Sequence, residues 1–146
     1  MPTVDFYLLN TSSKQDSYRF LCRLVEKAYQ QQNHAYIHTS SLEEAQCLDD
    51  LLWTFRDISF IPHQIGDSSN ALFAPSILIG TDKPKQQPAD ILFNLTQEAP
   101  SFFSEFSRII EVVCEEKEHK IQARKKYKIY KEQNCPLTTH NISLPC

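Results

Sequence analysis

The sequence predicts a single-domain α/β protein with a mostly parallel open sheet flanked by helices. Three observations carry that reading. Short β-prone runs alternate with segments whose apolar residues recur every three or four positions, the order expected of strands joined by right-handed helical crossovers. The 146 residues suit one hydrophobic core. Hydrophobic content of 41% and charged content of 23% lie near globular averages.

Val4–Leu9 reads as a first strand that enters a loop at Asn10-Thr-Ser-Ser. Tyr18, Leu21, Cys22, Val25, Ala28 and Tyr29 then share one face of a helix starting near Asp16 or Ser17. Ala35–Thr39 is a second strand. Ser41-Leu-Glu-Glu44 has the capping-box pattern, which predicts a second helix with Leu42, Ala45, Leu48 and Leu52 as its buried stripe. From Thr54 to Pro75 the pattern loosens into a long loop with room for a short strand. Ser76–Ile79 and Ile91–Asn94 resume strand character around a turn-rich connector that begins at Gly80. A helix opening at Pro100 or Ser101 is predicted from the spacing of Phe102, Phe103, Phe106, Ile109, Ile110 and Val113. The domain is expected to span residues 1–133, with 134–146 as an extended or frayed C-terminal tail.

Several chemistries are disfavoured by composition. Gly66 and Gly80 are the only glycines, so a Walker loop, a dinucleotide fingerprint and a nucleophile elbow are all missing. Five scattered cysteines without a Cys-x-x-Cys pair suggest neither a disulfide framework nor a zinc site, and a reducing, cytoplasmic compartment is expected. The N-terminus has no signal-peptide pattern, and no apolar run is long enough to span a bilayer. His63, Cys47 and Cys114 are candidate catalytic groups in isolation, but both cysteines sit in apolar helical patterns where a thiol acts as a small hydrophobe. Asp49, Asp50 and Asp57 flank Trp53; adjacent aspartates on a helix diverge by about 100° and read as a solvated face. No catalytic residue, metal site or cofactor is expected.

The feature that points to function is a basic stretch on an acidic chain. The net charge is −3, yet Lys117–Lys131 holds seven of the 15 Lys and Arg residues and one of the 18 Asp and Glu. On a helix, Lys120, Arg124, Tyr127, Lys128 and Lys131 fall on one stripe that joins positive charge to an aromatic wall. A solvated helix whose cations offset its dipole is the plain alternative. The interleaved Tyr127 and Tyr130 favour an anion-binding surface, for a phosphate backbone, a membrane surface or an acidic peptide. Trp53, one step round from Leu52 with Phe55 and Phe60 close behind, either fills the core or forms an aromatic patch for a protein partner.

The chain resembles the chi subunit of bacterial DNA polymerase III. The resemblance is carried in order by Phe6-Tyr-Leu-Leu9, Ala45-Gln-Cys-Leu-Asp-Asp-Leu-Leu-Trp53, Ser59-Phe-Ile-Pro-His63, Asp90-Ile-Leu92, Phe106, Val112-Val113 and Ala123-Arg-Lys-Lys-Tyr-Lys-Ile-Tyr130. It implies an α/β fold Rossmann-like in outline and a non-catalytic adaptor of the polymerase holoenzyme. Two partners are implied: the psi subunit, which joins the clamp loader, and the acidic C-terminal tail of single-stranded DNA-binding protein, which ends in an aromatic residue and a free carboxylate. Carried over, Lys120, Arg124, Tyr127 and Lys128 would hold that tail. Trp53, Phe60 and Pro62 would face psi or a helicase-like protein that competes with it. Lys125 and Lys126 make the stretch more cationic than the family's alternation of acid and base. Direct binding of single-stranded nucleic acid, with tyrosines stacking on bases, is the alternative.

Overall fold

The computed structural model describes residues 2–11, 13–31, 33–54, 63–65, 77–81 and 90–142. Its strands are β1 (Thr3–Leu9), β2 (Ala35–His38), β3 (His63–Ile65), β4 (Ile77–Gly80), β5 (Ile91–Asn94), β6 (Arg108–Val113) and β7 (Leu137–Ile142). They form one sheet in the order β3-β4-β2-β5-β6-β1-β7, and every neighbouring pair is parallel. Among the described residues three helices, α1 (Lys14–Gln30), α2 (Leu42–Thr54) and α3 (Lys117–Glu132), cover its faces.

Local chemistry explains where the first two helices start. The Ser13 hydroxyl accepts a hydrogen bond from the Asp16 amide at 3.3 Å, so α1 begins at Lys14, slightly before the expected Asp16. At α2 the Ser41 hydroxyl accepts from the Glu44 amide at 3.1 Å. The Glu44 carboxylate reaches back one residue beyond the cap, to the Ser40 amide at 3.0 Å, and also accepts the Tyr18 hydroxyl at 2.6 Å. That second bond ties α2 to α1. Ala45 and Leu48 are buried as expected, whereas Leu42 in the first turn is exposed. Gly80 is required by packing: a Cβ there would collide with the Tyr36 hydroxyl.

Two cores lie on opposite faces of the sheet. One joins Leu21, Val25 and Ala28 of α1 and Ala45 and Leu48 of α2 to Ile37, Ile79, Phe93 and Val112. The other joins Ala123 and Tyr130 of α3 to Val4, Phe6, Leu92, Ile109 and Val113. Right-handed crossovers that run in opposite directions along a sheet place their helices on opposite faces. β1 connects through α1 toward β2, while β6 connects through α3 past β1 to β7, in the other direction. The connections leaving the neighbouring strands β1 and β6 therefore pass on opposite faces of the sheet, and a crevice commonly lies at the carboxyl ends of such a pair.

Two expectations are corrected. Phe103–Glu105 is a single 3-10 turn and Arg108–Val113 is strand β6, not a helix. Five of the six residues of β6 are buried, because a central parallel strand is covered on both faces and so lacks a polar alternation. The expected tail contains β7, which pairs with β1 from Val4↔Leu137 to Leu9↔Ile142. β7 is also anchored by side chains, with Asp5 bridging Arg108 at 2.7 Å and His140 at 3.1 Å while Tyr7 stacks on the His140 ring.

Candidate functional site

The helix that carries the basic stretch starts without a conventional cap. Glu116, at the N-cap, makes no side-chain cap bond. Instead His119 Nδ1 accepts a hydrogen bond from the Cys114 amide at 2.9 Å, and the Glu115 amide bonds to the Thr11 carbonyl at 2.7 Å. These contacts fix the corner between β6 and α3. They also set how the first turns of α3 stand over the ends of β6 and β1.

Between α3 and those strand ends lies a cleft of about 610 Å³. Its apolar lining comes from Phe6 and Leu8 of β1, Val113 of β6 and Ala123 of α3. Lys120 and Arg124 line it from α3, one helical turn apart, with Tyr127 a further turn along. Thr139 and Asn141 supply a polar lip from β7, and Glu115 lies at the β6 end. The Tyr127 ring packs on Phe6 with centroids 5.5 Å apart and is still 38% exposed. Among the described residues Arg124 has no ion-pair partner, while Lys120 sits 3.8 Å from Glu115 in an exposed pair. A cationic rim over an apolar floor suits a ligand with both a carboxylate and a hydrophobic group.

The structure brings Lys120, Arg124 and Tyr127 together around this cleft. Lys128 is exposed on α3 but does not line it. Trp53 lies in the last turn of α2, while Phe60 and Pro62 fall outside the described residues. Phe6, Leu8, Val113, Thr139 and Asn141 were not expected at a site. They come from three separated segments and meet only through the register of β6, β1 and β7. Their one sequence signal was that strand ends adjoin the start of a following helix.

Two of the charged and aromatic residues of the basic stretch do not contribute to the surface. Lys126 and Tyr130 are buried against β6, where the Lys126 ammonium pairs with Glu111 at 2.7 Å and donates to the Thr96 carbonyl at 3.0 Å. The Tyr130 hydroxyl donates to the same carboxylate at 2.6 Å, and the Asn94 amide at 2.8 Å. Burial, then the neighbouring Glu111 charge, drives the Tyr130 phenol upward in pKa and keeps it protonated. Lys126 therefore adds nothing to the exposed charge, and Tyr130 cannot stack on a ligand.

The other candidates are placed as follows. Cys114 is buried just after β6, not within a helix, and Cys47 is exposed on α2. Among the described residues no group of three His, Cys, Asp or Glu side chains is arranged to hold a metal ion, and no helix is long and apolar enough to cross a membrane.

The family described as DNA polymerase III chi subunit, HolC, matches residues 1–138. The chain belongs to that family. DNA polymerase III subunit chi of Pseudomonas aeruginosa is 37% identical over 142 residues, covering 97% of this chain and 98% of its own. The same subunit of Haemophilus influenzae is 29% identical over 140 residues, and that of Escherichia coli 25% over 143. Each match spans at least 95% of this chain and 97% of the relative. Membership assigns the chain to DNA polymerase III and to DNA replication. Among solved structures, the second domain of the Mss116p DEAD-box helicase bound to an RNA duplex superposes with a TM-score of 0.65 at 10% identity. That match covers 97% of this chain and 65% of the helicase chain, and it reflects the shared Rossmann-like fold.

Proposed function

We propose that the protein is a non-catalytic, cytoplasmic adaptor that needs no cofactor. It links the clamp loader, through the psi subunit, to the acidic C-terminal tail of single-stranded DNA-binding protein. The observation that carries this reading is the cleft: Lys120 and Arg124 stand over an apolar floor of Phe6, Leu8 and Val113 beside Tyr127. The tail's terminal carboxylate and aspartates would meet the two cations, and its aromatic residue would enter the floor. Lys128 would meet acidic residues further from the carboxylate. Trp53, Phe60 and Pro62 would form the psi surface, open also to a competing helicase-like protein. Direct binding of single-stranded nucleic acid is weakened, since the inward turn of Lys126 and Tyr130 removes a cation and a stacking ring.

Fluorescence anisotropy with a labelled acidic peptide ending in phenylalanine tests the proposal. Binding should weaken as salt rises. Arg124→Ala should weaken it by about tenfold or more, the loss expected when a charge-assisted carboxylate contact is removed. Unchanged affinity in that variant would remove the site assignment. Tight binding of a bare oligonucleotide without peptide binding would favour the nucleic-acid reading.

A further inference from the structure

We infer that Glu115 is a built-in competitor for the ligand's carboxylate, setting how tightly the cleft binds. The inference rests on the peptide-binding reading above and adds a residue to it. Glu115 lines the cleft, and its carboxylate is 3.8 Å from the Lys120 ammonium. Both side chains are about half exposed, so their pairing is weak and exchangeable. The backbone that carries the carboxylate is nevertheless held in place from behind. The Glu115 amide is bonded to Thr11, and the neighbouring Cys114 amide to His119, so the corner cannot swing away from the cleft.

An anionic ligand that binds Lys120 and Arg124 comes close to this charge. Glu115 competes with it for Lys120, and once seated it lies beside a like charge. Glu116 and Glu118, also exposed, extend the negative field at this end of α3. The cleft is therefore cationic along the middle of α3 and fenced with acid at the β6 end. A short peptide placing one carboxylate between Lys120 and Arg124 pays this repulsion once, whereas a continuous polyanion would meet it at every charge laid across that end.

Anisotropy titrations of the full-length protein with the same acidic peptide test this. Glu115→Gln keeps the side chain's size and leaves the backbone bond to Thr11 intact. It should bind the peptide about two- to fivefold more tightly at low salt, with the advantage shrinking as ionic strength rises. Glu115→Asp, which keeps the charge, should stay closer to the wild type. If the wild type binds and Arg124→Ala does not, but Glu115→Gln binds no better than wild type, this inference is overturned and the peptide-binding reading survives. If neither wild type nor Glu115→Gln binds, both are overturned.

Discussion

Lys126 shows how one residue can be misread when it stands in a run rich in cations. Its ammonium is buried against a carboxylate that is itself 1% exposed, with Thr96, Tyr130 and Asn94 completing the hydrogen bonds. A buried pair of this kind gives little net stability compared with apolar packing, but removing one partner leaves an uncompensated charge. Lys126→Met should therefore lower unfolding stability by about 3 kcal/mol, read from urea denaturation. Adding Glu111→Gln to that variant should recover much of the loss, since the amide still accepts from Tyr130 without a net charge. A double variant no more stable than Lys126→Met would show that the side chain's packing, not its charge, is what matters. The sequence contained no sign of this inward turn, because Glu111 lies 15 residues away on a strand.

At the level of elements, the turn that ends α3 sets the course of the last strand. Gln133 closes the helix, and Asn134 follows with φ 62° in the left-handed region. The Cys135 amide bonds to the Tyr130 carbonyl and the Asn134 amide to the Lys131 carbonyl, which together make a Schellman motif. This turn aims the chain at β7, so it governs whether the last strand reaches β1. Asn134→Gly should stabilise or leave stability unchanged, whereas Asn134→Val should cost about 1 to 2 kcal/mol because a β-branched residue is strained at positive φ. Equal thermal midpoints for the two variants would contradict this account. The segment before β6 teaches a related lesson. Phe102 to Val113 has helical spacing only because apolar residues are so dense there that both periods fit. Burial on two faces, not periodicity, decided in favour of strand.

For the whole molecule, burial of groups that ionise in alkali links both faces of the sheet to pH. Burial pushes the Cys22 thiol from 9.0 up to about 12 on the α1 face, and the Tyr130 phenol is pushed upward on the α3 face. Tyr18 rises as well, through burial and then its bond to Glu44. In the unfolded chain these groups lose their protons at ordinary values, while in the folded chain they keep them. Their stabilisation is thus complete below about pH 9 and is lost as pH rises from there toward 12. For Cys22 alone the slope approaches about 1.4 kcal/mol per pH unit in that window. Denaturation between about pH 8 and about pH 10 should show stability level and then falling, with a shallower fall in Cys22→Ala. A fall of equal steepness in that variant would exclude Cys22 as a contributor. At the same scale, the sequence alone determined the alternation of strands and helices through β5, the lack of glycine phosphate loops and the basic helix, because each is written in local spacing or composition. Tertiary structure alone decided that β6 is a strand, that β7 closes the sheet edge, that Lys126 turns inward, and that Lys120, Arg124 and Tyr127 share a cleft with Phe6. Those outcomes depend on which surfaces meet across separations that run from 15 residues, as when Lys126 finds Glu111, to 103, as when Asp5 finds Arg108, and no local pattern encodes that meeting.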